Sequence, residues 1–498
     1  MCASCSFPAR KILNFVPPDG ERRAAKGTKM KILRPQLTLL ALAFCCALAA
    51  GEMRIVVTTD LHGHLRDLAA LAPEIRKLAD GKTLLIDLGD TVTGSFVSEY
   101  AENSTGMAEA LNDLGAELWV PGNHDFAMKP GEFREFVRRF EGRAVGGDWR
   151  FAGVSGSPCV IVERGGVRCA VIGLTDLKMP LRILPGAEME FRDPFAVLDE
   201  CMRIVHAEKP QVVVLAWHNG LFTVHGTVQS ILRRYPGIDV VLGGHSHQEI
   251  PGRRIGVRTL FVQPGAHGRA AGVVEIRTDD ATGKITRVTS RLIRGDLANP
   301  DPKLAALDRR LYLESRGIRY RKLGDYAPPR PGEYDSPLGR AGAEALRAAG
   351  GADAAVLWLG TDDRKREKRG FTFGDLYRLL PHRNELCVLD VTREELTEFI
   401  VEHDRLVRKR EYPQRLFASG IKIRRAGDGT VTRVDAPEKL TLAANDYLIA
   451  DSRVLRPLAF RPERRFRRLG RDEREIVAEH LTKRKTIMND HENKEAVK

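Results

Sequence analysis

The chain has 498 residues, of which 43% are hydrophobic and 29% are charged. This composition is typical of a globular protein, and no repeating period of about 20–50 residues stands out, which excludes a repeat array. A single hydrophobic core rarely organises so long a chain, so two domains are expected. The formal net charge of +13 favours anionic ligands. The arginine-dense stretch at 453–471 carries no nucleic-acid-binding fold signature, and no nucleic-acid partner is predicted.

The N-terminal residues carry a targeting pattern. From Met30 the chain has a basic start, an apolar run over residues 37–50 and then small residues. The run is too short to span a bilayer and has the shape of a signal-peptide core. We predict a signal peptide at 30–50, preceded by a non-native upstream extension at 1–29. The mature protein is then expected in the periplasm or outside the cell, without stable membrane insertion.

Four cysteines follow the predicted cleavage point, namely Cys159, Cys169, Cys201 and Cys387. Each lies in an apolar run, which favours buried, inert thiols over a disulfide framework or a metal cluster. We therefore predict no disulfide bond among them.

From residue 53 onward, short apolar runs alternate with helical stretches. The runs are rich in Val, Ile and Leu and are bounded by Gly or polar residues, as expected of buried strands. The predicted strands are 54–58, 83–88, 118–120, 211–216 and 239–242, and the predicted helices are 68–78, 107–114, 132–140 and 194–208. This alternation predicts βαβ units and a sheet covered by helices.

A proline-rich segment divides the chain. We predict a linker at 299–335, which contains a helical stretch at 302–316 between its proline-rich ends. The second domain, at 336–498, opens with a helix at 338–349 and a strand at 354–359. It is predicted to be a smaller α/β or α+β domain.

Each of the five predicted strands ends in polar residues. In chain order these are Asp60 and His62, Asp90, Asn123 with His124 and Asp125, His218, and finally His245 and His247. In open α/β sheets, ligands gather outside the carboxyl ends of the strands, so these loops should converge. Turn chemistry alone explains any single ending, but it does not explain five in order.

The residue types in these loops suit two divalent cations. Imidazole and carboxylate together favour Zn, Mn or Fe(II), and the absence of thiolates argues against a structural zinc site. Asp90 is the natural bridge between the ions, because the preceding glycine allows the backbone to approach closely. Asp60 and His62 are two residues apart at a strand end and can face one ion, and His245 and His247 repeat that spacing.

This order of motifs resembles the calcineurin-like metallophosphoesterase superfamily, and specifically its 5′-nucleotidase family. Residues 89–95 and 106–126 are similar to the 5′-nucleotidase version, and residues 373–381 with 384–386 resemble the family's C-terminal substrate-binding domain. The resemblance implies a four-layer α/β/β/α catalytic domain at 51–298 and a C-terminal domain at 336–498.

The resemblance also implies roles for individual residues. It assigns one metal to Asp60, His62, Asp90 and His247, and the other to Asp90, Asn123, His218 and His245. A hydroxide held by the two metals is then expected to attack phosphorus in line. His124, beside Asp125, is expected to stabilise the transition state and assist the leaving oxygen.

The chain departs from the family at several positions. The family usually has an aspartate that orients the catalytic histidine, and this chain has Ala127 there. In the second domain, Arg364 and Phe417 are the candidate substrate contacts, alongside Asn123 in the first. The family's segment with the second nucleobase-stacking aromatic is missing.

Three functions follow from these observations. The first is hydrolysis of small phosphoric esters, most naturally nucleotides, by a monomeric enzyme. The second is hydrolysis of a non-nucleotide ester of the sulfate-thiol esterase type. The third is a binding protein of the same family that has lost catalysis, although none of the expected metal ligands is missing.

Overall fold

The structure is a computed structural model. It describes residues 51–487 except 102–103, 224–225, 256–257, 280, 327–335, 361–367, 410–413 and 485. The predicted upstream extension, the predicted signal peptide and Arg364 lie outside the described residues.

The N-terminal part of the described chain alternates strands and helices. Its elements are β1 (Glu52–Thr58), α1 (Leu65–Arg76), β2 (Thr83–Asp87), α2 (Phe96–Tyr100), α3 (Gly106–Leu114), β3 (Leu118–Trp119), α4 (Pro130–Arg139), β4 (Arg143–Ala144), β5 (Trp149–Phe151), β6 (Val154–Ser155), β7 (Cys159–Arg164), β8 (Val167–Leu174), α5 (Met179–Arg182), β9 (Met189–Phe191), α6 (Pro194–Glu208), β10 (Val212–Trp217), β11 (Phe222–Thr223), β12 (Gly226–Thr227), α7 (Val228–Leu232), β13 (Val240–Gly243), β14 (Glu249–Ile255), β15 (Thr259–Pro264), β16 (Ala270–Thr278) and β17 (Ile285–Arg294).

The C-terminal part is a mixed α/β arrangement. Its elements are α8 (Pro302–Arg319), β18 (Lys322–Tyr326), α9 (Pro337–Gly350), β19 (Ala354–Gly360), β20 (Lys368–Thr372), α10 (Phe373–Leu379), β21 (Glu385–Thr392), α11 (Arg393–Arg408), β22 (Gln414–Ser419), β23 (Lys422–Arg425), β24 (Val431–Asp435), β25 (Lys439–Asn445), α12 (Asp446–Asp451), α13 (Leu455–Ala459), β26 (Phe466–Asp472), α14 (Glu473–Arg484) and β27 (Thr486–Ile487).

Two six-stranded sheets form the N-terminal domain. Their strand orders are β17-β16-β1-β2-β3-β4 and β14-β15-β13-β10-β8-β7. Successive side chains of a strand point to opposite faces, so Val57 packs between the two sheets while Val56 packs against the helices. Helices α1, α3 and α4 cover the first sheet, and α6 and α7 cover the second. The predicted four-layer α/β/β/α architecture is confirmed.

The C-terminal domain is built on a five-stranded sheet of order β22-β19-β25-β21-β26. Helices α9 and α14 cover one face, and α11, α12 and α13 cover the other. The prediction of a smaller α/β or α+β domain is confirmed.

Helix α8, with 18 residues, occupies about half of the segment predicted as a linker. Asp301 caps its first turn by accepting hydrogen bonds from the amides of residues 303 and 304. Its buried side chains Leu304, Leu307 and Leu311 belong to the core around α1 and α3. The helix therefore packs on the N-terminal domain, and the exact domain boundaries stay predictions.

The four cysteines of the described chain are free thiols, as predicted. Cys169, Cys201 and Cys387 are buried, and Cys159 is half-buried. Burial raises the pKa of the Cys159 thiol to about 12, so it is an unreactive thiol at neutral pH. Among the described residues, no helix combines the length and apolar character that a membrane span needs.

We predict that Phe133→Ala strongly destabilises the protein. Phe133 is fully buried on α4, with ring centroids 4.8 Å from Phe151 and 5.8 Å from Phe126. Removing a buried phenyl ring costs about 3–5 kcal/mol. The midpoint of thermal unfolding measures the effect. Phe222→Ala, at a position that is 70% exposed, is the control and should leave the midpoint almost unchanged.

Candidate metal centre

The predicted metal ligands come from the carboxyl ends of five strands in two sheets. Asp60 and His62 follow β1, Asp90 follows β2 and Asn123 follows β3, all in the first sheet. His218 follows β10 and the pair at 245 and 247 follows β13, both in the second sheet. Because the sheets are stacked face to face, all five loops meet at one edge of the domain.

Two groups of side chains lie close enough to hold one ion each. Asp60, His62 and His247 form the first group, and Asp90, His218 and His245 form the second; within each group the possible ligand atoms all lie within 4.8 Å of one another. In the first group, Nε2 of His247 is 3.3 Å from Oδ1 of Asp60. In the second, Nε2 of His218 is 3.3 Å from Oδ2 of Asp90.

Asp90 lies between the two groups. Its Oδ2 is 3.3 Å from Nε2 of His218 and 3.7 Å from Nε2 of His62, so one carboxylate faces a histidine of each group. Asn123 lies beside the second group, with Oδ1 2.7 Å from Nδ1 of His245. This arrangement fits the predicted bridging position of Asp90.

Backbone carbonyl groups orient two of the histidine rings. Nδ1 of His62 is 2.6 Å from the carbonyl oxygen of Thr93, and Nδ1 of His218 is 2.5 Å from that of Leu88. A carbonyl oxygen only accepts, so each Nδ1 carries a proton, which leaves Nε2 as the nitrogen that can bind a metal. Metal-binding histidines are usually held in this way.

The side chains present fit a pair of cations. Nε2 of His218 is buried and lacks a hydrogen-bond partner among the described residues, which is costly for a polar atom. Burial alone lowers the pKa of His218, but the neighbouring Asp90 carboxylate raises it to about 10. The pocket therefore attracts positive charge to this nitrogen, and imidazole with carboxylate is the donor set of Zn, Mn and Fe(II).

The backbone is strained at the ligands. Nine non-glycine residues of the described chain have positive φ, and five of them are the predicted ligands Asp60, His62, Asp90, His245 and His247, with φ between 46° and 67°. His267, at φ 64°, lies beside them. Each such residue costs on the order of 1–3 kcal/mol, and such strain clusters at functional sites.

Asp125 holds the loops of the site together. Its carboxylate accepts hydrogen bonds from the amides of Asp90, Thr91 and Gly122 at 2.8–2.9 Å, and is fully buried. Asp125 was predicted to act beside the catalytic His124. In the structure both of its oxygens are engaged by backbone amides, so we interpret it as a positioning residue.

His124 lies at the edge of the first group. Its ring centroid is 5.1 Å from that of His62, and its amide donates to Oδ1 of Asp90 at 2.7 Å. Burial lowers the pKa of His124 to about 4, so its ring is neutral at pH 7. Ala127 ends the short helical turn Asp125–Ala127 and brings no carboxylate to this ring.

Three further histidines lie near the predicted ligands and were not predicted from the sequence. His64 and His267 stack with ring centroids 4.2 Å apart, and the His267 ring is 5.4 Å from that of His247. His64 continues the alternation of Asp60 and His62, and His267 follows the end of β15. Both are therefore polar residues that follow a strand, which is the pattern that predicted the other ligands. His382, from the C-terminal domain, has no such signal.

Phe417, the predicted aromatic contact of the substrate, lies on β22 and is 9% exposed. Its ring packs against Gly339 of α9, in the core on that face of the C-terminal sheet. Its predicted role in substrate binding stays a prediction, as does that of Arg364.

Comparison with known proteins gives a consistent family. Residues 53–249 match the family described as calcineurin-like phosphoesterase. The chain is 23% identical over 397 residues to endonuclease YhcR of Bacillus subtilis, covering 70% of this chain and 32% of that protein. It is 28% identical over 258 residues to snake venom 5′-nucleotidase of Gloydius brevicauda, covering 45% and 43%. The chain thus spans less than half the length of these curated relatives.

A solved structure shares the fold. The chain is similar to a putative 5′-nucleotidase from Staphylococcus aureus with a TM-score of 0.69 and 17% identity, covering 86% of this chain and 96% of that one. The likeness extends across both domains, so the second domain belongs to the shared fold.

We predict that Gly89→Ala weakens metal binding. Gly89 has φ +80°, and a Cβ there would lie 2.0 Å from the Gly122 amide nitrogen, so the loops carrying Asp90 and Asn123 must separate. Mutating the groups that orient metal ligands typically costs about 10–100-fold in metal affinity, and we expect a loss of that size here. Calorimetric titration with Mn²⁺ measures the loss.

Gly131→Ala is the matched control for this substitution. Gly131 lies in α4 with nothing within 4 Å of the added carbon, and alanine is the better helix former. Its Mn²⁺ affinity should equal that of the wild type. Equal Mn²⁺ affinities of the two variants would show that metal binding does not require the two loops to pack closely.

Proposed function

We propose, from the membership of residues 53–249 in the calcineurin-like phosphoesterase family, that the protein hydrolyses phosphoric esters with two divalent metal ions. The observation that carries the proposal is the pair of ligand groups on either side of Asp90. We propose Asp60, His62, Asp90 and His247 for one ion, and Asp90, Asn123, His218 and His245 for the other. When bound, such ions neutralise phosphate charge and supply a nucleophile at neutral pH.

The chain's own side chains complete the chemistry. His124 borders the first ligand group and is placed to hydrogen-bond an oxygen of the bound ester, stabilising charge that develops there. Its amide donates to Asp90, and the carbonyl of the same residue accepts from the Thr93 hydroxyl at 2.7 Å. These two bonds fix the backbone from which its ring projects, in the absence of an aspartate at Ala127.

A nucleotide is the substrate that we propose. Two relatives or structural neighbours are named 5′-nucleotidases. The C-terminal domain also holds a cavity of about 410 Å³ lined by Trp358, Phe399 and Tyr447. The Trp358 and Tyr447 rings are nearly parallel, with centroids 5.7 Å apart. Nucleobases stack on such aromatic surfaces.

One of these rings also contacts a cation of the N-terminal domain. The guanidinium of Arg182, on α5, lies 5.4 Å from the centre of the Tyr447 ring. A base on these rings therefore sits beside an N-terminal cation that can contact a ribose or phosphate oxygen. We further propose that the protein is exported to the periplasm or the cell exterior and acts as a monomer on small molecules, with the pattern at 30–50 supporting export.

We predict that Mn²⁺-loaded protein hydrolyses at least one of AMP, UDP-glucose, 2′,3′-cyclic AMP and bis-p-nitrophenyl phosphate. Asp90→Asn should lower kcat/KM by more than about 100-fold, because the loss of a shared ligand exceeds the loss of an outer-shell partner. Asp296→Asn, at an exposed loop carboxylate, is the control and should match the wild type. Hydrolysis of none of the four esters would refute the proposed function.

We predict that Tyr447→Ala raises KM for AMP about tenfold, because base stacking on an aromatic ring contributes about 1–3 kcal/mol. KM for glycerol phosphate, which has no base, should stay unchanged in the same variant. Tyr320→Ala, at a 54% exposed position that directly follows α8, is the control. An equal change in KM for both esters would exclude the aromatic cavity as the base site.

A further inference from the structure

We propose that His382 of the C-terminal domain is a further substrate-contacting residue, which donates a hydrogen bond to a phosphate oxygen of the ester at the metal centre. The proposal rests on the proposed phosphoester hydrolysis and adds to it a residue from the opposite domain. His382 lies in the segment after α10, between Pro381 and the buried Arg383.

The position of the ring is the first observation. The His382 ring centroid is 5.6 Å from that of His124, and the two planes are inclined by 38°. His124 in turn lies 5.1 Å from His62 of the first ligand group. His382 is exposed to solvent, so its ring is accessible to a molecule that binds beside His124. An imidazole there has an N–H to donate.

The second observation is a buried cluster of ion pairs between the domains, around Glu99 and Arg383, which fixes this position. Arg383, the next residue, extends Nη1 to Glu132 at 2.5 Å and Nε to Glu99 at 3.3 Å, both on the N-terminal domain. The Arg383 side chain is 7% exposed and that of Glu99 is 1% exposed. Removing either partner of such a buried ion pair would leave an uncompensated buried charge, which strongly destabilises a protein.

Two more C-terminal residues bind the same carboxylate. Nη1 of Arg474 is 3.2 Å from Oε2 of Glu99, and the Tyr377 hydroxyl donates to Oε1 at 2.8 Å. Arg474 is itself fully buried and reaches the Tyr100 hydroxyl at 2.7 Å. Glu99 therefore anchors three C-terminal side chains, and the backbone that carries His382 is held against the N-terminal domain.

The ion-pair cluster around Glu99 and the metal centre both depend on the segment 93–99. Glu99 accepts from the Gly94 amide at 3.1 Å, and the adjacent Thr93 carbonyl orients the His62 ring. The residue that fixes the C-terminal domain thus lies within a few positions of a residue that fixes a metal ligand. This continuity holds His382 beside His124, at the edge of the metal centre.

The test compares His382→Ala and His382→Asn with the wild type, and uses His206→Ala, an exposed histidine on α6, as the matched control. The main measurement is the Kd of inorganic phosphate for Mn²⁺-loaded protein by calorimetry, with bound metal and Tm measured in parallel. Loss of one hydrogen bond to a charged group should raise the phosphate Kd about tenfold or more in His382→Ala. Bound metal and Tm should stay at wild-type values.

His382→Asn keeps an N–H donor and should recover part of the phosphate affinity. It also serves as the folded comparison if the alanine variant is unstable. Phosphate affinity unchanged in both variants, with the wild type active, overturns the inference and leaves the proposed function standing. A lower Tm without a change in phosphate affinity assigns His382 to domain docking and overturns it as well. A wild type without phosphoesterase activity refutes the proposed function and this inference together.

Discussion

The need to neutralise buried carboxylates governs the site. Asp60, Asp87, Asp90 and Asp125 are at most 1% exposed, and an isolated buried charge is far too costly to keep. Asp125 is satisfied by backbone amides, and Asp87 accepts from the hydroxyls of Thr58 and Thr91. Asp60 and Asp90 also accept hydrogen bonds, but in addition they face histidine nitrogens. The charge left over on these two is what a pair of divalent cations would balance.

The stacked sheets make this concentration of charge possible. Their central strands are buried on both faces and form a rigid base, so the loops at their ends can be held in unfavourable conformations. Positive φ at the ligands is the visible result. Residues two apart in these loops, such as Asp60 and His62, place their possible ligand atoms within 4.8 Å of one another. The strain is local, and the packing of many apolar residues maintains it.

The sequence predicted those parts of the molecule that depend on local pattern. The five strand ends, the four layers and the free cysteines follow from apolar runs and their polar boundaries. The packing of α8 did not follow, because the proline-rich ends of its segment indicate a linker and only Leu304 and Leu311 in three dimensions show where it docks. The face occupied by Phe417 also depends on tertiary contacts. His382 was not predicted, because its place beside the site depends on a contact with His124, which lies 258 positions earlier in the chain.

The contacts of the two domains do not separate at a single position of the described chain, because an N-terminal helix packs into the C-terminal core. Phe96, on α2, lies in a core cluster formed mainly by C-terminal residues, and its ring is 5.2 Å from that of Tyr377. The same short helix carries Glu99 and begins just after the segment that orients His62. Ordering of the metal loop and docking of the C-terminal domain therefore share their contacts and stabilise each other. The C-terminal domain thus supports the segment that carries part of the candidate metal centre.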